Sequence, residues 1–329
     1  MALTVNTAFA EFHDDKVNLV ADRTDKARRS RDWLILQLNG LSDNKPGFPV
    51  SYPEKHNKYG SFARRTKIRE LDDVDLIYCM SATGATYYKD SYYQNIYDIH
   101  TTNAGAILTN LAPNNILNSN KVIEKVRSSL LGIEHYSEAK IHKKNEAVTL
   151  KLSSYEWNFD ILPSFFTDTE YYLIPDGNGR WKATNPNIDQ ARTTDTNQKF
   201  DGRVLQIIRT LKYWSRYKFG DMLSSYLFEV IIIDYLNNRT SISEWIDYTL
   251  HDFWAHLAHQ IYQSVWDPKN FDGNINSLSF DEQRIISRAA QEAHDLSVTA
   301  IYAEVTLKDH EASIKSWRKI FGNSFPTYG

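Results

Sequence analysis

Hydrophobic and polar positions follow two rhythms along this chain, and the change from one to the other divides it. From residue 7 to 41, Val17, Val20, Ala21, Ala27, Leu34 and Leu38 recur at roughly helical spacing without a proline, which predicts one long N-terminal helix. Gly40 and the run Asn44-Lys45-Pro46-Gly47 end it. An extended segment over 49–59 leads to a strand at 73–78, where Val74 and Leu76 alternate with Asp73 and Asp75. Residues 91–114 are polar and aromatic with weak periodicity, which predicts helix with loop, and 120–131 read as helix through Val122, Ile123, Val126 and Leu130. Alternating runs at 139–142, 147–152 and 157–162 predict strands, with Lys144-Asn145 and Ser153-Ser154 as turns. Residues 171–174 and 180–182 flank Pro175-Asp176-Gly177-Asn178-Gly179 as a further hairpin.

From residue 202 onward the period is helical almost throughout. Val204, Ile207, Ile208 and Leu211 mark one helix, and residues 223–235 another. Ser241-Ile242-Ser243-Glu244 and Ser279-Phe280-Asp281-Glu282 have the capping-box pattern and predict helices near 242–264 and 280–307. A last helix covers about 309–321. The order gives an α+β (mixed α/β) fold in two lobes. Residues 1–190 form a lobe of mixed sheet and helix that includes the long N-terminal helix, and 191–329 an all-helical lobe. A length of 329 residues suits that division, since single cores seldom grow past roughly 250–300 residues.

Composition narrows the function classes. The formal net charge of −3 gives no global basic balance, so long nucleic acid is not an obligatory partner by charge. A single cysteine, Cys79, excludes an intrachain disulfide and a multi-cysteine zinc module, and its apolar neighbours predict a buried thiol. No basic-then-apolar leader and no run of 18 apolar residues is present, so the expected location is cytoplasmic, with no membrane partner. Asp252, His256 and His259 fall within helical reach of one another. The stripe Leu250, Trp254, Leu257 and Ile261 already explains that helix, with the polar residues on its other face.

Chemistry concentrates between residues 60 and 78. On a strand, Asp73 and Asp75 share one face and Val74 and Leu76 the other. Two like charges so close repel one another unless a cation joins them, and Mg²⁺ takes one or two carboxylates plus substrate phosphates. Upstream, Gly60-Ser61 suits the phosphate half of such a site, because glycine lets a backbone approach and N–H groups at a helix start favour anions. A solvated Asp-x-Asp beside an ordinary turn is the plain alternative for the pair by itself. Phe159-Asp160-Ile161 places a third carboxylate on a later strand. Two metals about 3.5–4 Å apart can clamp the attacking and leaving oxygens of a phosphoryl transfer.

Gly60-Ser61, eleven intervening residues, Asp73-Val74-Asp75-Leu76 and the later Asp160 resemble the DNA-polymerase-β-like nucleotidyltransferase superfamily. Arg209-Thr210-Leu211-Lys212-Tyr213-Trp214, Ser225-Tyr226-Leu227-Phe228-Glu229 and Trp317-Arg318-Lys319-Ile320-Phe321-Gly322 narrow the resemblance to the cGAS/DncV-like nucleotidyltransferases, the CD-NTases of bacterial CBASS antiphage systems. It spans nearly the whole chain. The resemblance implies that Asp73, Asp75 and Asp160 bind two Mg²⁺ ions, with Mn²⁺ as the alternative, and that Asp160 helps activate the acceptor hydroxyl. It implies that Gly60 and Ser61 hold the donor triphosphate, Lys212 and Ser225 contact phosphates, and Tyr226 stacks on a base. The implied activity is condensation of NTPs (ATP, with GTP or a pyrimidine NTP) into a cyclic di- or trinucleotide that activates an effector, and the cGAS-type zinc insertion is missing. Gly329 suggests conjugation of the C-terminus by a partner. A linear oligonucleotide synthase, an RNA- or tRNA-modifying transferase and a non-catalytic nucleotide sensor are the alternatives.

Overall fold

In the computed structural model, which describes residues 2–82 and 84–329, two compact units share the chain. One holds residues 1–19, 65–70 and 191–329, the other 20–64 and 71–190. In chain order, α1 (Val5–Phe12) runs into a π-helical turn at His13–Val17, and α2 (Ala21–Asn44) follows. Next come β1 (Asn57–Lys58), α3 (Gly60–Ala63), β2 (Asp73–Met80), β3 (Thr86–Lys89), β4 (Tyr97–His100), α4 (Ala106–Thr109) and α5 (Ser119–Leu130). β5 (Lys140–Lys144), β6 (Ala147–Lys151), β7 (Asn158–Phe166), β8 (Tyr172–Pro175) and β9 (Trp181–Thr184) continue the sheet. The remainder is α6 (Pro186–Lys199), α7 (Val204–Phe219), α8 (Ser225–Asn237), α9 (Ile246–Gln260), α10 (Phe280–Val305) and α11 (His310–Phe321). No helix among the described residues is long and apolar enough to cross a membrane.

The sheet unit is organised on β7. The whole of β2 pairs in parallel with it, from Asp73↔Asn158 to Met80↔Phe165. On its other side β6 runs antiparallel to its first half and β8 to its end. The order β1-β2-β7-β8-β9-β4-β3 completes the path, with β5 beyond β6. The buried stripe Ala27, Leu34, Leu38 and Leu41 of α2 covers β2, and Tyr78 Oη donates to the Leu38 carbonyl at 3.0 Å. Cys79 is buried beneath, as expected, and burial pushes its thiol up to about 12.

An aromatic core holds the helical unit. Phe9 and Phe12 of α1 pack against Trp317, Phe321 and Phe325, with centroids 5.0–5.1 Å apart for Phe9–Trp317, Phe12–Phe321 and both contacts to Phe325. Buried Ala290, Ala293 and Ala300 let α10 lie close to its neighbours, since small side chains bring helix axes together. The capping box at Ser279 forms as expected, with Glu282 N–H donating to Ser279 Oγ and Glu282 Oε2 accepting from Ser279 N–H. Tyr328 bridges to Ala2, and the Gly329 N–H donates to the Ala2 carbonyl at 3.3 Å.

Several expectations are corrected. The helix over 7–41 is two helices, because residues 18–20 leave the helical path. Arg69 Nε donates to the Asn18 carbonyl at 2.9 Å and Arg209 Nε to Asn18 Oδ1 at 2.9 Å, so arginines from distant segments satisfy the break. The N-terminal 19 residues belong with the helical unit instead of the 1–190 lobe, since Val5, Ala8, Phe9 and Phe12 are buried in its core. Residues 65–70 join them: Ile68 enters that core, and the Arg65 carbonyl accepts from Arg209 at 2.8 Å. Within 91–114 the expected helix with loop is present as the short α4, but ahead of it stands an unexpected strand, β4, paired to β3 from Thr86↔His100 to Lys89↔Tyr97. The box at Ser241 is not formed; Ser243 Oγ accepts from Trp245 N–H, and α9 starts at Ile246. α6, polar and opened by Pro186, was not foreseen.

Candidate active site

β2 and β7 bring the three carboxylates together. Their burial alternates as the sequence suggests: Val74 and Phe159 are 1% exposed, while Asp73, Asp75 and Asp160 are partly exposed on the other face. Parallel neighbours in register carry side chains on one side of the sheet. Asp75 is paired with Asp160, and Asp73 lies one pleat earlier. One ligand oxygen from each of the three lies within 4.8 Å of the others, the one such group among the described residues. Three carboxylates at this spacing repel strongly and offer only hard oxygen donors, so their chemistry fits a divalent cation such as Mg²⁺.

Gly60 explains itself against this cluster. It opens α3 with φ 76°, a conformation that favours glycine. A Cβ there would lie 1.8 Å from Asp75 Oδ2 and 2.6 Å from its Cγ, so the absence of a side chain lets the Gly60-Ser61 turn sit directly on the carboxylate. The structure therefore groups Gly60, Asp73, Asp75 and Asp160, with Ser61 as the next residue of α3.

Two neighbours were missed from the sequence. Tyr59, just before the turn, has its phenol held well above the usual tyrosine range, first by burial and then by the charges of Asp75, Asp160, Glu146 and Asp73. It stays neutral beside the acidic cluster. Thr149, 4% exposed on β6, stands opposite Asp160 in register and donates from Oγ1 to Asp160 Oδ1 at 2.6 Å. A hydroxyl residue inside the apolar run Val148-Thr149-Leu150 was the available signal.

The remaining expected site residues lie in the helical unit. Lys212 of α7 is 7% exposed, and its Nζ is 3.2 Å from Glu229 Oε2, itself on a residue 2% exposed. Thr66 Oγ1 donates to the same Glu229 oxygen at 2.9 Å. Lys212 is thus held in a buried ion pair. The carboxylate inside the apolar stretch of α8 was the sequence signal for it. Ser225, exposed, is the first residue of α8. Tyr226 is partly buried, and its hydroxyl donates to Asp267 Oδ1 at 3.2 Å and accepts from Lys269. Lys269 Nζ also lies 4.2 Å from the Tyr226 ring centroid. Burial works to raise Asp267, but Lys269 and the N–H groups of Lys269 and Asp272 outweigh it, and the carboxyl is held below its usual range.

No protein-family model matches the chain. A curated Bacillus cereus (strain VD146) protein named "Probable cyclic nucleotide synthase" is 40% identical over 336 residues, covering 100% of this chain and 99% of that protein. The structure of CdnC from E. coli MS115-1 with ATP superposes with a TM-score of 0.70 at 20% identity, covering 97% of this chain and 98% of that one. CdnC is also solved in complex with HORMA-deltaN. Vibrio cholerae DncV, a cyclic AMP-GMP synthase solved with the linear intermediate 5′ pppA(3′,5′)pG, gives 0.68 at 12% identity over 100% and 98% of the two chains. With its fold shared by CdnC and DncV and a relative of that identity along its whole length, the chain belongs to the cGAS/DncV-like nucleotidyltransferase family.

Proposed function

We propose that this nucleotidyltransferase condenses nucleoside triphosphates, with two Mg²⁺ ions, into a cyclic di- or trinucleotide, releasing pyrophosphate at each step. The observation that carries the reading is the grouping of Asp73, Asp75 and Asp160 on one face of β2 and β7, with Gly60 against Asp75. Asp73, Asp75 and Asp160 would hold the metal, which neutralises charge on the reacting phosphate and the leaving pyrophosphate. Gly60 and Ser61 offer backbone and side-chain donors to the donor triphosphate. The hydroxyl of the acceptor ribose attacks the α-phosphorus, the bond to the β-phosphate oxygen breaks, and the hydroxyl proton passes to a carboxylate oxygen of Asp160. A second transfer closes the ring. Lys212 and Ser225 contribute to phosphate binding and Tyr226 to base stacking, which is worth roughly 1–3 kcal/mol per base. ATP and GTP are the proposed substrates, since the related CdnC and DncV structures hold ATP and a linear AMP–GMP intermediate. The product acts as a second messenger on an effector in antiphage defence.

Product analysis tests this reading. The chain is incubated with the four NTPs and Mg²⁺, with and without RNA, and the products are phosphatase-treated and weighed by mass spectrometry. A phosphatase-resistant cyclic oligonucleotide is expected. Nucleotide added only to RNA, or linear products alone, overturns it.

A further inference from the structure

We infer that Thr149 is a positioning residue for Asp160, fixing the carboxylate from the strand opposite β2. The inference rests on reading the three aspartates as a metal-binding site and deepens it. Asp160 sits between two register partners, Asp75 on β2 and Thr149 on β6. Asp75 can only repel it. Thr149 supplies the opposite interaction, its Oγ1 donating to Asp160 Oδ1 at 2.6 Å. That is a short hydroxyl–carboxylate distance, and hydrogen bonds to charged acceptors are about twice as strong as those between neutral groups. Among the described residues this is the one side-chain hydrogen bond to Asp160.

Two features make the contact a fixed one. Thr149 is 4% exposed, so water does not compete for its hydroxyl. A β-branched side chain on a strand has few χ1 states, so the hydroxyl is aimed before any ligand arrives. The bond restrains rotation of the Asp160 carboxylate and leaves Oδ2 for a cation or an acceptor hydroxyl. Partners of this kind orient metal-binding carboxylates, and their loss typically costs about 10–100-fold in metal affinity or activity.

The test compares Thr149→Val, which keeps the shape and removes the hydroxyl, with Thr149→Ser, which keeps the hydroxyl. Terbium(III) luminescence titration reads cation binding without turnover, with Asp73→Ala plus Asp75→Ala as the control. Mg²⁺ titration of the initial rate separates the Mg²⁺ concentration at half-maximal rate from kcat, and thermal unfolding reports folding. Thr149→Val is expected to weaken terbium binding and raise the half-maximal Mg²⁺ concentration by about tenfold or more. Thr149→Ser is expected to stay within about threefold of the parent chain, since it keeps the donor. Parent-like terbium and Mg²⁺ curves for Thr149→Val overturn the role of Thr149 alone. Equal damage in both variants also overturns it. Terbium binding by the parent that matches the Asp73/Asp75 control overturns the metal site beneath it.

Discussion

Gly60→Ala offers a severe test of the site geometry, because one methyl group meets one named carboxylate. The added Cβ would lie 1.8 Å from Asp75 Oδ2. Unstrained carbon–oxygen contacts are about 3.3–3.6 Å, so the carboxylate or the turn must give by roughly 1.5 Å. Misplacement of about 1 Å can cost on the order of 100-fold in rate. The backbone adds a second cost, since a non-glycine residue in the left-handed region loses about 1–2 kcal/mol. Gly202→Ala separates the two. Gly202 has φ 84° with nothing within 4 Å of its added Cβ, so it carries the backbone cost without the clash. Pyrophosphate release from NTPs and thermal unfolding are measured for both variants. Both should unfold a few degrees early, and only Gly60→Ala should lose about 100-fold or more in kcat/KM. Rates for Gly60→Ala within a few fold of those for Gly202→Ala would falsify a functional contact between the turn and Asp75 of β2.

Other consequences concern the helical unit. Asp247 is 3% exposed with its Oδ1 unpartnered among the described residues, and burial, then the charge of Glu304, raises its carboxyl to about 6. The folded state therefore holds this proton more tightly than the unfolded one: stability is full below the unfolded value near 4, falls as pH rises, and stays low above 6. Asp247→Asn should raise the unfolding temperature at pH 7.5 by the equivalent of up to about 3 kcal/mol and change little at pH 4; denaturation at both pH values checks this. Lys212→Met removes the cation of the buried pair with Glu229 and should cost about 3–5 kcal/mol, while Lys212→Met with Glu229→Gln should recover part of it in a double-mutant cycle read by urea unfolding. Additivity of the two changes refutes the buried pair.

Much of the sheet was legible because its strands are local patterns. Asp-Val-Asp-Leu and Phe-Asp-Ile each state which face is buried, and the burial along β2 and β7 follows them. What the pattern could not state was pairing. Asp75 and Asp160 are 85 residues apart, and nothing in either strand fixes their register; Thr149 became visible only with the third strand. The break after α1 was hidden for a related reason. The periodicity across residues 18–20 favours helix, but Arg69 and Arg209 outcompete it by satisfying Asn18 from 51 and 191 residues away. α6 is too polar to announce itself by an apolar stripe. Lys212 was legible as a residue of interest, while its pairing with Glu229 needed the packing of α7 on α8.

Nucleotidyl transfer by the three clustered aspartates is read from the products. The most direct measurement is mass spectrometry of products from labelled NTPs and Mg²⁺, with the parent chain beside Asp73→Ala plus Asp75→Ala at matched folding. Pyrophosphate and a phosphatase-resistant cyclic oligonucleotide are expected from the parent and neither from the double variant. Cyclic product formed at comparable rates by both chains excludes Asp73 and Asp75 from the transfer.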